Sequence, residues 1–325
     1  MVAAAGTSIA LRGGQKMPTV GLGLWKISNE TVASQIYQAI KVGYRLFDGA
    51  CDYGNEVEAG QGIRRAIDEG LVKRSDLFIT SKLWSTYHAR EHVKPALQRT
   101  LSDMGLDYLD LYIVHFPFAL KYVPFDLKYP PQTDDGHGNQ NTRANVPFQE
   151  TWEAMEAVYN EGLVKNIGIS NIGGAMLYDL LSYAKVKPAV LQIELHPYLV
   201  RNQLVALAHS EGIAITAYSS FGDASYQELG FKADSPSFKP LLKHDVIAEI
   251  AKAHEKSPAQ VLLRWAVERG CAVIPKSSNV DRLRQNLDIF GFSLSDDEVV
   301  RINDLDKNFI LNDPAKWINI SIWAN

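Results

Sequence analysis

Three ionisable side chains close three successive apolar runs: Asp48 ends YRLFD, Lys82 ends FITSK and His115 ends LDLYIVH, with Tyr53 five residues beyond Asp48. Runs of this length, rich in β-branched and aromatic residues and each followed by a helical stretch, read as buried parallel strands. The ends of such strands converge on one face of a βα array, so groups tens of residues apart can share one pocket. The chemistry follows from acidity. A free phenol has a pKa of about 10 and holds its proton too tightly to be an ideal donor at neutral pH. A lysine ammonium beside it would stabilise phenolate and lower that value, while Asp48 would keep Lys82 charged and oriented. Tyr53 then serves as general acid toward an oxygen such as that of a carbonyl, and His115 either orients the carbonyl or shares the proton. Taken singly, each residue reads better as a satisfied structural group. Four at successive strand ends read as a catalytic constellation.

The elements that must hold these groups alternate along the chain. VGLGLW, YRLFD, FITSKL, LDLYIVH, KNIGISN, AVLQIE, IAITAYSS and CAVIPKS are strand candidates. Between them lie amphipathic stretches such as ETVASQIYQAIKVG, AREHVKPALQRTLSDMG and PAQVLLRWAVERG, several stopped by glycine. Eight βα units with right-handed crossovers close into a TIM barrel, one domain over residues 1–325. A doubly wound open sheet is the rival fold, but no glycine-rich turn marks a switch point. A hairpin turned at Gly13-Gly14 precedes the barrel. Long loops follow strand four (Phe116 to Pro147, with five prolines) and strand seven (Ser219 to about Pro240). The first is too long for an idle connection and forms a wall of the pocket; the second is either a flap over a ligand or a surface excursion. The tail, NFILNDPAKWINISIWAN, is too apolar for a solvated terminus, and Trp317, Ile320, Ile322 and Trp323 must pack, most simply at the barrel mouth.

Composition narrows the classes. No apolar run approaches the roughly 18 residues of a membrane span, and the start, MVAAAGTSIALRGG, lacks the marks of a secretory signal. A net charge of -4 argues against general nucleic-acid affinity. Two cysteines, Cys51 and Cys271, outside any CxxC pair, favour a reducing compartment, the cytosol by default. Several motifs are discounted. Gly21-Leu22-Gly23 lacks the full dinucleotide fingerprint. His88 and His92 have metal-pair spacing but no evident third ligand and are assigned to an exposed helix, so no metal is expected. Ser170 in GISNIG is not a nucleophile elbow.

GLGLWK, FDGACDYGNE, ITSKLW, YIVHFP, IGISN, AVLQIELHPYL, AYSSFG and IPKS, in this order, resemble the aldo-keto reductases over nearly the whole chain. FDGACDYGNE, HFPFALKYVPFDLKYPP and the late NDP look most like the fungal D-xylose reductases within that family. The resemblance implies a (β/α)8 barrel that reduces aldose sugars to alditols by hydride transfer from NADPH, in some members also NADH. It makes Asp48, Tyr53, Lys82 and His115 the catalytic tetrad. Ser170, Asn171 and Gln192 match residues holding the nicotinamide carboxamide, and Tyr218, followed by Ser219, the aromatic stacked on its ring. Lys276, Ser277 and Arg282 match the groups around the adenosine 2'-phosphate, a set suited to a dianion; Gln285 and Asn286 match those facing adenine. Ser278 stands where related reductases often have a ribose-binding asparagine, and Glu228 matches a glutamate that bonds the ribose hydroxyls of NADH. NADPH is therefore the preferred cofactor, with NADH a secondary one.

Trp25, Asp52, Phe116 and Asn312 match substrate-pocket positions of the xylose reductases. Rings would shape the pocket while a carboxylate and an amide bind hydroxyls. ILNDP replaces RFNDP, and SNI replaces SNF, so the sugar among D-xylose, L-arabinose and other aldehydes is open. Similar reductases are commonly homodimers. Three other functions stay in view: a broad-specificity aldehyde reductase of the same family, a non-catalytic NADP-binding interaction subunit, and a barrel glycosidase. The last would need Glu194 to act with Asp48, leaving Lys82 and Tyr53 unexplained.

Overall fold

The structure, a computed structural model, describes residues 7–226 and 239–323. A two-stranded antiparallel hairpin, β1 (Ser8–Ala10) and β2 (Lys16–Pro18), comes first. Its turn closes through Leu11 and Gln15, with Gly14 at φ +84, a conformation glycine adopts without steric cost. Eight short strands then pair in chain order: β3 (Gly21–Gly23), β4 (Leu46–Asp48), β5 (Phe78–Leu83), β6 (Leu111–Val114), β7 (Ile167–Ser170), β8 (Val190–Glu194), β9 (Ala214–Tyr218) and β10 (Cys271–Val273). Val20, just before β3, bridges Val273 of β10 in parallel, and Val273 N–H donates to the Thr19 carbonyl at 2.8 Å. First and last strands thus meet, and the fold is the (β/α)8 barrel with N-terminal hairpin expected from the sequence. The helices are α1 (Asn29–Val42), α2 (Glu56–Asp68), α3 (Arg90–Met104), α4 (Phe148–Asn160), α5 (Gly174–Tyr183), α6 (Asn202–Ser210), α7 (Asp245–Ala253), α8 (Pro258–Glu268), α9 (Val280–Leu287), α10 (Asp296–Asn303) and α11 (Pro314–Trp317).

Two compact units make up the chain. In the unit of Leu22–Leu191 with Asp313–Asn325, α1 buries Val32, Ile36, Ala39 and Ile40 on one stripe and ends at Gly43. α2 packs against its neighbours at backbone distance. A Cβ on Gly60 would lie 2.2 Å from the Met104 carbonyl oxygen, and one on Gly62 2.5 Å from that of Ala33. Only glycine permits this approach, and it fixes the N-terminus of α2, which follows directly on the segment carrying Tyr53. The loop after β6 is ordered by its own pairing, with bridges Leu120 to Arg143 and Asp134 to Gln140 and the buried Asn141 amide donating to the Lys121 carbonyl at 2.9 Å. The tail returns to this loop: Trp317 lies 5.2 Å from the Phe116 ring and its carbonyl accepts from Gln140.

In the unit of Met1–Gly21 with Gln192–Asn312, α8 begins with Pro258 and a reciprocal Ser257/Gln260 cap, and buries Val261, Leu262, Trp265 and Ala266. α9 is capped by Asn279, whose side-chain oxygen takes the N–H groups of Asp281 and Arg282. The segment leading to Asn312 lies along the turn after β8, where Phe309 N–H donates to the Tyr198 carbonyl at 2.9 Å. Much of the expected second insertion, residues 227–238, lies outside the described residues, and the flap reading with it.

Candidate active site

Three strand-end positions and one 3-10 turn in the first unit bring the expected acid together with its partners. Asp48 ends β4, Lys82 lies one residue before the end of β5, and His115 follows β6 directly. Tyr53 sits on a single 3-10 turn, Cys51–Tyr53, stopped by Gly54 at φ +70. Asn55, next in line, is buried and its amide donates to the carbonyls of Leu24 and Ile27, tying this turn to the segment that bears Trp25. Lys82 is fully buried. Its Nζ donates to Asp48 Oδ1 at 2.5 Å, to the Gly49 carbonyl at 2.8 Å and to the Tyr53 hydroxyl oxygen at 3.2 Å. An ammonium has three donors, so its full capacity goes to a counter-ion, the backbone and the phenol. A buried charge is tolerated on these terms.

His115 is held by aromatic faces and by its own backbone. Its ring is 5.0 Å from Phe116, 5.4 Å from Trp84 and 5.9 Å from Tyr53. The Asn171 amide donates to the His115 carbonyl at 2.8 Å, with Asn171 itself in the left-handed region at φ 62. His115 Nδ1 and Asp52 Oδ1 approach to 3.0 Å, off the axis of a hydrogen bond. Trp84 Nε1 donates to the Gln132 carbonyl at 2.7 Å, which pins the long loop beside the site.

Lys82 was expected to lower the Tyr53 pKa; burial instead raises it well above the usual phenol value, and the charges of Asp48, Asp52 and Cys51 act in the same direction. Crowding by protein disfavours phenolate, and Asp48 screens the ammonium that would stabilise it. At rest Tyr53 is a firmly protonated donor, poised to give its proton only to an oxygen that itself becomes anionic in the same poorly solvated space.

In the second unit, Gln192 is buried in β8, and Tyr218 ends β9 with its hydroxyl accepting from the Asn312 amide at 3.1 Å. Ser219 has φ 54 and donates to the Tyr226 hydroxyl. Ser277 is buried between the partly exposed Lys276 and the exposed Ser278, and its hydroxyl engages Asn279. Arg282, Gln285 and Asn286 share one face of α9 by their spacing, Arg282 and Gln285 exposed and Asn286 buried. Ser170 ends β7 in the first unit. Glu228 lies outside the described residues. Of the substrate candidates in the first unit, Phe116 is buried, Asp52 is partly exposed against His115, and Trp25 is partly exposed with Lys26 Nζ 4.7 Å above its ring.

His88 is buried at the end of a 3-10 turn, where burial lowers its pKa to about 3, and His92 is stacked on Tyr122. His88 thus lies off the helix, while His92 stands on α3 and is partly exposed; the described residues hold no group of three or more side chains suited to a metal. Glu194 is spent as an acceptor: Oε1 takes Leu311 N–H and His196 Nε2, and Oε2 takes Asn312 N–H. A carboxylate so occupied, with Asp48 likewise committed to Lys82, leaves the glycosidase reading without a nucleophile.

Sequence reasoning missed Asn55, Trp84 and Glu56 as supports of the site. Asn55 and Glu56 sit in the quoted DYGNE, and their place directly after Tyr53 was the available signal. Comparison with known proteins agrees with this architecture. The model of the "Aldo/keto reductase family" matches residues 17–307. A "Probable NAD(P)H-dependent D-xylose reductase" of Emericella nidulans is 56% identical over 310 residues, covering 95% of this chain and 97% of the relative. A protein of the same description from Neosartorya fischeri is 55% identical, covering 94% and 95%. The crystal structure of a Bombyx mori aldo-keto reductase in complex with NADP superimposes with a TM-score of 0.86 at 36% identity, over 99% of this chain and 100% of that one. Matched from the second strand of the hairpin to beyond α10, this chain belongs to the aldo/keto reductase family.

Proposed function

We propose that the chain is a single-domain aldose reductase that uses NADPH, and secondarily NADH, to reduce the open-chain aldehyde of D-xylose to xylitol, with L-arabinose and small aldehydes as further substrates. The observation that carries the reading is the buried Lys82 ammonium donating at once to Asp48 and to Tyr53. D-xylose reductases more than 50% identical over nearly the full length support the choice of sugar.

The second unit's side chains suit the dinucleotide. Lys276, Ser277 and Arg282 supply two cations and a hydroxyl, a combination fit for a 2'-phosphate, and Gln285 and Asn286 follow Arg282 by three and four residues on α9. Gln192, Ser170 and Asn171 would hold the carboxamide, Tyr218 would stack on the ring, and Ser219 and Ser278 would contact the remainder. Bound NADPH supplies the hydride. Trp25 and Phe116 wall the sugar, and Asp52 and Asn312 take its hydroxyls. His115 orients the carbonyl, and Tyr53 gives its hydroxyl proton to the carbonyl oxygen. Lys82 then faces a phenolate: opposite unit charges 3.2 Å apart attract by roughly 5 kcal/mol at an effective dielectric of about 20, before Asp48 offsets part of it.

No helix among the described residues is long and apolar enough to cross a membrane. We place the protein in the cytosol, supported by two buried free cysteines, and take a homodimer as its assembly. The test is the loss of reduced-nicotinamide absorbance with D-xylose, L-arabinose and glyceraldehyde, each with NADPH and with NADH. Pentose-dependent oxidation of NADPH is the expected result. Turnover of glyceraldehyde alone would replace the aldose reading with a general aldehyde reductase, and cofactor binding without any turnover would replace it with the interaction subunit.

A further inference from the structure

Glu194 is a buried carboxylate outside the tetrad with both of its oxygens engaged. It ends β8 and is 1% exposed, and it receives two consecutive backbone amides from a segment more than a hundred residues away. Leu311 N–H lies 3.0 Å from Oε1 and Asn312 N–H 2.9 Å from Oε2, while His196 Nε2, on a fully buried ring, meets Oε1 at 2.9 Å. Two oxygens of one rigid carboxylate thereby fix the position and direction of the peptide from which the Asn312 side chain departs. That side chain is set a second time, by its 3.1 Å hydrogen bond to Tyr218. A backbone held by a charged acceptor in a dry site cannot drift by the ångström that would break a hydrogen bond to a substrate hydroxyl.

We infer that Glu194 is a positioning residue that acts through Asn312 to give the site its preference for hydroxylated aldehydes over plain ones. The inference rests on the reading of Asn312 as a hydroxyl-binding group. The hydride-transfer chemistry does not depend on it, so an aldehyde without hydroxyls should not feel its loss. Glu194→Gln keeps the shape but presents an N–H2 group to one of the two amide donors, so one side of the clamp becomes a donor facing a donor.

The experiment compares D-xylose with propanal, using NADPH, for the parent, Glu194→Gln, Asn312→Ala and the double variant. The KM for D-xylose should rise about tenfold in Glu194→Gln, the loss of one substrate hydrogen bond, with kcat and the propanal parameters near the parent's. The double variant should be no worse than Asn312→Ala alone, since the two act in series. Equal losses on both aldehydes, additive losses in the double variant, or no change would each overturn the inference. Hydrogen exchange provides a readout free of activity. Peptides spanning Leu311 and Asn312 should exchange faster in Glu194→Gln than in the parent, and unchanged protection would overturn the clamp whatever the enzyme reduces. Should Glu194→Gln fail to fold, His196→Ala against His196→Gln asks the same question, with the glutamine restoring a donor to Oε1. A parent enzyme that reduces propanal and ignores D-xylose would sink the aldose reading, while the exchange result would still decide the role of Glu194.

Discussion

Replacing Glu56 by glutamine should make the protein more stable at pH 8 and leave it nearly unchanged below about pH 4.5. Glu56 opens α2 and is 6% exposed, with Ser81 Oγ donating at 2.6 Å and Thr100 Oγ1 at 3.1 Å. Burial pushes its pKa from the ordinary 4.5 up to about 7; the two hydroxyls pull it down in part, and Asp103 and Asp52 push it further up. The folded chain therefore keeps this proton up to about pH 7, while the unfolded chain loses it near 4.5. Between those values the native state binds more protons, so stability is full below about 4.5 and declines as pH rises through 7. A gap of about 2.5 pH units at 1.36 kcal/mol each makes the cost roughly 3 kcal/mol at pH 8. Glutamine bears no such cost, and the Ser81 and Thr100 hydroxyls can turn to suit its amide. Thermal unfolding of both proteins at intervals from pH 5 to 8 is the assay. The two melting temperatures should separate by several degrees as pH rises, with the variant higher. Parallel curves, or a variant that loses ground at pH 8, would refute the burial argument.

Two further outcomes follow from contacts described above. Gly60→Ala places a methyl 2.2 Å from a backbone oxygen that cannot move without shifting α3, so it should lower stability by about 3 kcal/mol, as read from chemical denaturation. Arg282→Ala should raise the KM for NADPH by about tenfold or more and leave that for NADH nearly unchanged, because the first α9 amides, which would otherwise be open to a phosphate, are already taken by Asn279.

Local pattern sufficed wherever neighbours in sequence decide the outcome. The eight apolar runs became β3 to β10, Gly43 and Gly105 stopped α1 and α3, and Asp48, Lys82 and His115 fell at or beside strand ends as read. Properties set by packing density were not legible. The direction of the Tyr53 shift depends on how much protein crowds the phenol, a quantity absent from the spacing of Asp48, Tyr53 and Lys82. Spacing alone groups His88 with His92 on an exposed helix, but His88 follows the 3-10 turn at Ser85–Tyr87, ahead of α3, and is buried. Glu194 invited a catalytic role as a lone acid at a strand end, and its partners at 311 and 312 lie too far along the chain for any local pattern to reveal.

The central claim is that Tyr53, held by Lys82, protonates the carbonyl. It is tested most directly by measuring D-xylose reduction and NADPH binding in the parent and in Tyr53→Phe. Removing one hydroxyl leaves the ring in place over Lys82. The account predicts that NADPH quenching titrations coincide while turnover falls by at least about a hundredfold, the ordinary contribution of a general acid. A Tyr53→Phe variant that reduces D-xylose at the parent rate would contradict it and move the proton donor elsewhere, with His115 first in line.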